Sequence, residues 1–326
     1  MGRAAIGSDA ATNANTYCLD FDGTADYLYR KALNFRADDD RGTLFAWIYM
    51  DAAGSGSQTI FCVGDEGSTQ NQFSLMINAD EKLNIQHRVA NSDHIENGST
   101  ILSATTWYSV AFTSDGTDHQ YYVNGVAETM TNTSEYSGSP GHWFGDLNDT
   151  LDNMCIGVNK RSNIGSYFGG KIMQVAYFGG STGTNGVLTA GQLLALHSAG
   201  KGHDLTTATG DYTASEIDDM HGYWRMGNHY LDTSTTIYDA SGNGYDMGQV
   251  SNPPALTWST GTTFLTNWQD RGFFTGDKYT RLLIQSSTAN GSTTFTDSGP
   301  GFKKTEFNGT SAYAAKSSIS NYRQGD

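Results

Sequence analysis

From residue 44 to residue 178 the chain is divided repeatedly into apolar runs of strand length, separated by Gly, Asn, Asp and Ser. The runs read LFAWIYM (44–50), TIFCVG (59–64), QFSLMIN (72–78), KLNIQHRV (82–89), WYSVAFTSD (107–115), HQYYVNG (119–125), NMCIGV (153–158) and KIMQVAYF (171–178). Each is short for a helix, and the turn residues between them recur at the interval that antiparallel sandwiches and jelly rolls require. In WYSVAFT, Trp107, Ser109, Ala111 and Thr113 fall on one face and Tyr108, Val110 and Phe112 on the other. That alternation predicts a half-buried sheet, apolar on one side and mixed on the other. Asn124-Gly125 after QYYV is a type I′ hairpin signal, because both residues accept positive φ.

Composition agrees with an all-β chain: 39 Gly, 4 Pro and 16% charged residues suit short strands and tight turns. Helix signals are confined to two places. In LTAGQLLALHSAG, Thr189 and Gln192 make a capping box, Leu193, Leu194 and Leu196 give the apolar spacing, and Gly200 stops the helix; Thr213 and Glu216 repeat the device in YTASEIDDM. Cys18, Cys62 and Cys155 each lie in a strand-like run and are expected as buried free thiols, not a disulfide framework. A net charge of −15 repels phosphate backbones and anionic lipid headgroups, so neither nucleic acid nor a membrane is an expected partner. The longest apolar runs fall far short of the roughly 20 residues of a membrane helix. The stretch MGRAAIGSDAATNANTY has no apolar signal core, and the expectation is synthesis and maturation in a reducing cytoplasm.

The order FDGTADYL, LFAWIYM, TIFCVGDEG, FSLMIN, KLNIQ, TTWYSVAFTSDGTDHQYYVNG, MCIGVN and FGGKIMQVAYF resembles the laminin-G-like, concanavalin A-like jelly rolls, over roughly residues 17 to 205. Family members often carry a Trp segment and a D-x-SGNG phrase before their FDG phrase. Here YWRMG (223–227) and IYDASGNGYDM (237–247) follow a complete set of strands, as either the opening of another unit or a late strand pair packed on the first. Two echoes appear near the end of the chain: STTIYDASGNGY (234–245) is answered by STTFTDSGPGF (292–302), and FDGTADY (21–27) by FNGTSAY (307–313). The expected organisation is an arm at 1–16, a laminin-G-like β-sandwich at 17–210, a connecting segment at 211–276 and a partial second jelly-roll-like unit at 277–326. The whole resembles virion structural proteins of tailed bacteriophages, especially marine ones. That resemblance implies a non-catalytic capsid decoration, fibre or tail component, found in the virion, with other virion proteins and further copies of itself as partners. The alternative is a glycan-binding module of a surface adhesin or polysaccharide-degrading system, at an extracellular surface.

Several motifs carry chemistry on paper. EIDDMH (216–221) is similar to the E-[IL]-D-x-x-E strand of the fold's polysaccharide hydrolases, but His221 stands where the second carboxylate is needed, and Glu216 is expected to cap a helix. GGSTG (179–183) matches a nucleophile elbow in letters only, since STGTNG follows it and not a helix. No enzymatic activity is expected. In HWFGDLNDTLDN, the oxygen ligands Asp146, Asn148, Asp149 and Asp152 suit either a calcium ion or a solvated acidic turn, and Asp65, Glu66, Asp115 and Asp118 are candidates for a second cation site. His142, Trp143 and Phe144 can form a sugar-stacking platform or pack inward. Phe307, Gly309 and Tyr313 head a strand without a sheet of its own, which points to assembly by strand addition. Phe and Tyr of each echo, six apart, are expected on one strand face.

Overall fold

The computed structural model describes residues 17–250 apart from 33, 135–140, 148–150, 230 and 234, together with four short strand segments, Thr257–Trp258, Ile284–Ser286, Thr294–Asp297 and Thr305–Glu306. The β-rich sequence folds as an all-β sandwich of two antiparallel sheets. The first runs in the order Val126–Ala127, His119–Val123, Trp107–Ser114, Arg41–Met50, Gly169–Gly180, Leu19–Asp22 and Thr257–Trp258. The second runs Thr131–Ser134, Ser92–Asn97, Leu83–Val89, Gln72–Ile77, Gln58–Gly64, Asn153–Ile156, Tyr27–Lys31, Met247–Val250 and Thr236–Ile237. Between them the inward residues of each alternation, among them Leu44, Ile48, Val110 and Phe112 facing Phe61, Val63, Phe73 and Ile85, make one continuous core. The Asn124-Gly125 turn has positive φ at both residues and returns the chain so that Val123 pairs with Val126.

The outer face of the first sheet is not half-exposed as WYSVAFT predicts. Ala111, Phe45, Trp47, Ala176 and Phe178 point outward into a second core closed by Leu188, Leu193, Leu196, Leu205 and Tyr212. Helix α1, Ala190–Ala199, supplies two of those leucines, and its capping box forms as its sequence implies: the Thr189 hydroxyl accepts from the Gln192 amide, and Gln192 Oε1 accepts from the Thr189 amide at 2.7 Å. A sheet covered on both faces accounts for the nearly unbroken apolar run of Arg41–Met50.

The WRMG and DASGNG phrases belong to the sandwich and do not connect two units. Met220–Trp224 pairs with the second half of Gly169–Gly180, from Val175↔Trp224 to Phe178↔Met220, while Leu19–Asp22 occupies the first half of the same side. Trp224 is wholly buried in the inter-sheet core, and its Nε1 donates to the Tyr245 carbonyl at 2.7 Å. Asp239 fixes the DASGNG turn by accepting from the amides of Tyr223, Ser241 and Tyr245. Thr236–Ile237 and Met247–Val250 extend the second sheet beyond Tyr27–Lys31. By backbone contacts, residues 12–264 form one compact unit.

The FDG phrase also does more than anchor one strand. Phe21 lies in a strand of the first sheet, next to its last residue, and Tyr27 begins one of the second, so the two rings are not on a common face. Gly23, at φ +73°, makes the turn between sheets, and Asp22 holds it by accepting from the amides of Thr24, Ala25 and Asp26. Phe21 enters the inter-sheet core; Tyr27 packs outside the second sheet with Tyr29 and Tyr167 over Cys62 and Cys155. All three cysteines are free and buried. A second unit comprises residues 1–11 and 265–326, within which Thr294–Asp297 lies between Ile284–Ser286 and Thr305–Glu306 in a three-stranded sheet. Phe307, Gly309 and Tyr313 lie outside the described residues.

Candidate functional site

Three segments that sequence reading treats separately meet on the outer side of the first sheet. They are the SDGTD turn after Trp107–Ser114, the loop 183–189 after GGSTG, and the start of helix α2, Ala214–Asp218. Together they enclose a cleft of about 560 Å³. Its floor is the outward face of His119–Val123, where Gln120 and Tyr122 alternate with the core-facing Tyr121 and Val123. Its walls carry Asp115, Asp118, Asn185, Gln192, Glu216 and Asp219.

Local hydrogen bonds hold this cleft open. Asp115 Oδ1 accepts from the Thr117 and Asp118 amides, closing the SDGTD turn. Asp219 Oδ2 accepts from the Gly186 amide at 2.8 Å, tying the loop to the end of α2, and Thr43 Oγ1 accepts from the Leu188 amide at 2.9 Å. Glu216 is spent as a cap: its carboxylate accepts from the Thr213 amide at 2.6 Å and the Thr213 hydroxyl at 2.8 Å, which together with Ser215 holds it below its ordinary pKa against the opposing effect of burial. The strand that begins GGSTG ends at Gly180, and no helix begins until Ala190. What the cleft offers is a set of carboxylate and amide acceptors and donors around one tyrosine ring, which suits a ligand rich in hydroxyl groups.

The other expected site residues take different places. His142, Trp143 and Phe144 turn inward, at 8%, 0% and 0% exposure, so the stacking platform expected of them is not on the surface. Trp143 Nε1 donates to the Tyr177 hydroxyl at 3.0 Å, and Tyr177 donates to Asp39 at 2.7 Å, an acceptor also engaged by Arg36. Gly42 makes room for that ring: a Cβ there would stand 2.8 Å from it. Asp146 accepts from the Trp143 amide and lies 3.6 Å from His142 Nδ1, and Asp152 accepts from the Glu66 amide. Asn148 and Asp149 lie outside the described residues. Glu66 is paired with Lys160 at 2.5 Å, and Asp65 accepts from the Gly67 amide.

Two arrangements escape the sequence reading. A cleft of about 480 Å³ beside the FDG turn gathers Asp20, Asp22, Asp26 and Asp51. There Asp26, only 4% exposed, is raised by burial and then by the charge of Asp22 to about 6, whereas hydrogen bonds from Thr24, Ala25 and Asp26 overcome burial and hold Asp22 at about 2. The second is a cluster between the sheets. His94 and Glu96, at i and i+2 on Ser92–Asn97, face His119 on His119–Val123. Glu96 stands 2.7 Å from His119 Nδ1 and 3.4 Å from His94 Nε2. Burial would raise the Glu96 carboxyl, but the two histidines outweigh it and hold it at about 2. The signal available was H-x-E at strand period in SDHIEN.

A sequence profile described as the concanavalin A-like lectin/glucanases superfamily matches residues 22–185, half of the chain. The chain belongs to that superfamily. No curated protein sequence matches it. Among solved structures, the superfamily member is similar to the CBM40 of the Ruminococcus gnavus IT-sialidase bound to α2,3-sialyllactose, at 16% identity and a TM-score of 0.43, covering 56% of this chain and 95% of that one. It is also similar to the heptameric SAP-like pentraxin of Limulus polyphemus, at 16% identity and TM-score 0.42, covering 57% and 83%. The leech intramolecular trans-sialidase is similar at 17% identity and TM-score 0.40, covering 53% of this chain and 28% of that one.

Proposed function

We propose that this protein is a non-catalytic glycan-binding module and that the outer cleft is its binding site. The observation that carries the reading is the cleft itself: Tyr122 for the C–H face of a sugar ring, with Asp118, Gln120 and Asn185 for its hydroxyls, on a member of a lectin/glucanase superfamily. The capping role of Glu216 favours binding over hydrolysis, because the first carboxylate of the glucanase-like motif is already engaged and His221 stands where its last would be. The acidic walls and a net charge of −15 favour a neutral glycan over a sialylated one. A neutral-glycan array followed by calorimetry tests this. Tyr122→Ala and Asp118→Asn are each expected to weaken binding about tenfold or more, roughly 1.4 kcal/mol. Silence across the array, or binding unmoved by both substitutions, would overturn the reading.

The setting we infer is a virion, where the sandwich is displayed on a capsid, fibre or tail and the C-terminal unit attaches it. What supports this is the resemblance to phage structural proteins and the separate grouping of residues 265–326.

A further inference from the structure

We propose that His94, Glu96 and His119 form a binding site for a first-row transition-metal dication, with zinc the best match, inside the sandwich. The three side chains come from two sheets that meet near one lateral edge: His94 and Glu96 from the second, His119 from the first. Their side chains are 0%, 9% and 0% exposed, and one ligand atom of each lies within 4.8 Å of the others. Around a tetrahedral ion with bonds of about 2 Å, donor atoms sit about 3.3 Å apart. His94 Nε2 stands 3.4 Å from Glu96 Oε1, which matches, while the other carboxylate oxygen, Oε2, is 2.7 Å from His119 Nδ1, a hydrogen-bond distance that an ion would widen. The ring centres of His94 and His119 are 5.4 Å apart, close to the roughly 5 Å that two imidazoles adopt on one such ion.

The surroundings are those of a metal-bound imidazole. His119 Nε2 donates to the His142 carbonyl at 2.8 Å, which fixes the ring and leaves Nδ1 aimed at the cluster. The Tyr121 hydroxyl donates to the Glu96 carbonyl at 3.0 Å, pinning the strand that bears both other ligands. His142 also borders the cluster, its ring 5.9 Å from that of His94. His119 faces the Glu96 carboxylate at Nδ1 and the His142 carbonyl at Nε2. An ion here would take His119 Nδ1, the Glu96 carboxylate and a ring nitrogen of His94 as its three protein ligands.

Full-length protein titrated with zinc chloride, after chelation and desalting, tests the site. A single equivalent is expected to bind, read by calorimetry, and to raise Tm. Glu96→Gln and His119→Gln should each weaken binding at least tenfold, while His203→Ala, remote from the cluster, leaves it unchanged. Should those variants fail to fold, cobalt substitution of the natural protein decides the matter by the intense visible bands of a tetrahedral ion. No binding by the folded protein, binding indifferent to both substitutions, or only the weak bands of an octahedral cobalt ion would each overturn the proposal. The readout involves no glycan, so its failure and that of the cleft are distinguishable.

Discussion

Two buried carboxylates in this sandwich titrate in opposite senses, and the difference lies in what each one faces. Asp26 sits beside another carboxylate, and its Oδ1 makes no hydrogen bond among the described residues. Its pKa of about 6 exceeds the ordinary 3.8, so the native state holds the proton more tightly than the unfolded chain does. Stability is therefore highest below about pH 4 and falls as pH rises toward 6. Asp26→Asn removes that loss. Calorimetry should show a Tm higher by roughly 2–4 °C at pH 7.5 and nearly unchanged at pH 4; an equal gain at both would contradict the assignment. Glu96 runs the other way. Held at about 2 against an ordinary 4.5, it adds stability above 4.5 that is lost as pH falls toward 2.

At the scale of elements, the strand Met220–Trp224 decides where the domain ends. A boundary at 210 would strip half of one side of Gly169–Gly180 of its partner and remove Trp224 from the core. A chain ending at 210 is expected to be insoluble or molten, and Trp224→Ala in the full chain to cost about 3–5 kcal/mol in denaturant unfolding. A cooperative transition at the original midpoint from either protein would show that the strand is an ornament. These positions explain what was and was not legible beforehand. Period-two alternation and the Asn-Gly turn identify strands and one hairpin because they are local. That WRMG closes the first sandwich depends on pairing over some fifty residues, which no local pattern encodes.

For the whole molecule, the sandwich of residues 12–264 and the C-terminal unit group separately. Deleting 277–326 should leave the thermal unfolding of the sandwich in place and lower the assembly mass seen by light scattering. An unchanged mass would remove the case for attachment through that unit. The expected binding residues divide along the same line between local and global. His142, Trp143 and Phe144 look in sequence like an exposed aromatic loop, yet they plug the core beside Phe73, Phe112 and Tyr177. Asp115 and Asp118 look in sequence like a hairpin turn and Glu216 like a distant helix cap, yet they ring one cleft.

The sequence alone determined the strands, the two helix caps, the free cysteines and the superfamily, because alternation, capping boxes and turn residues act over a few neighbours. Only the tertiary structure decided which carboxylates share a cleft, which aromatics are hidden, and that His94 and Glu96 meet His119 across the sandwich. Those juxtapositions arise when two sheets close on each other, and side chains that touch there are set by packing and strand order, not by proximity along the chain.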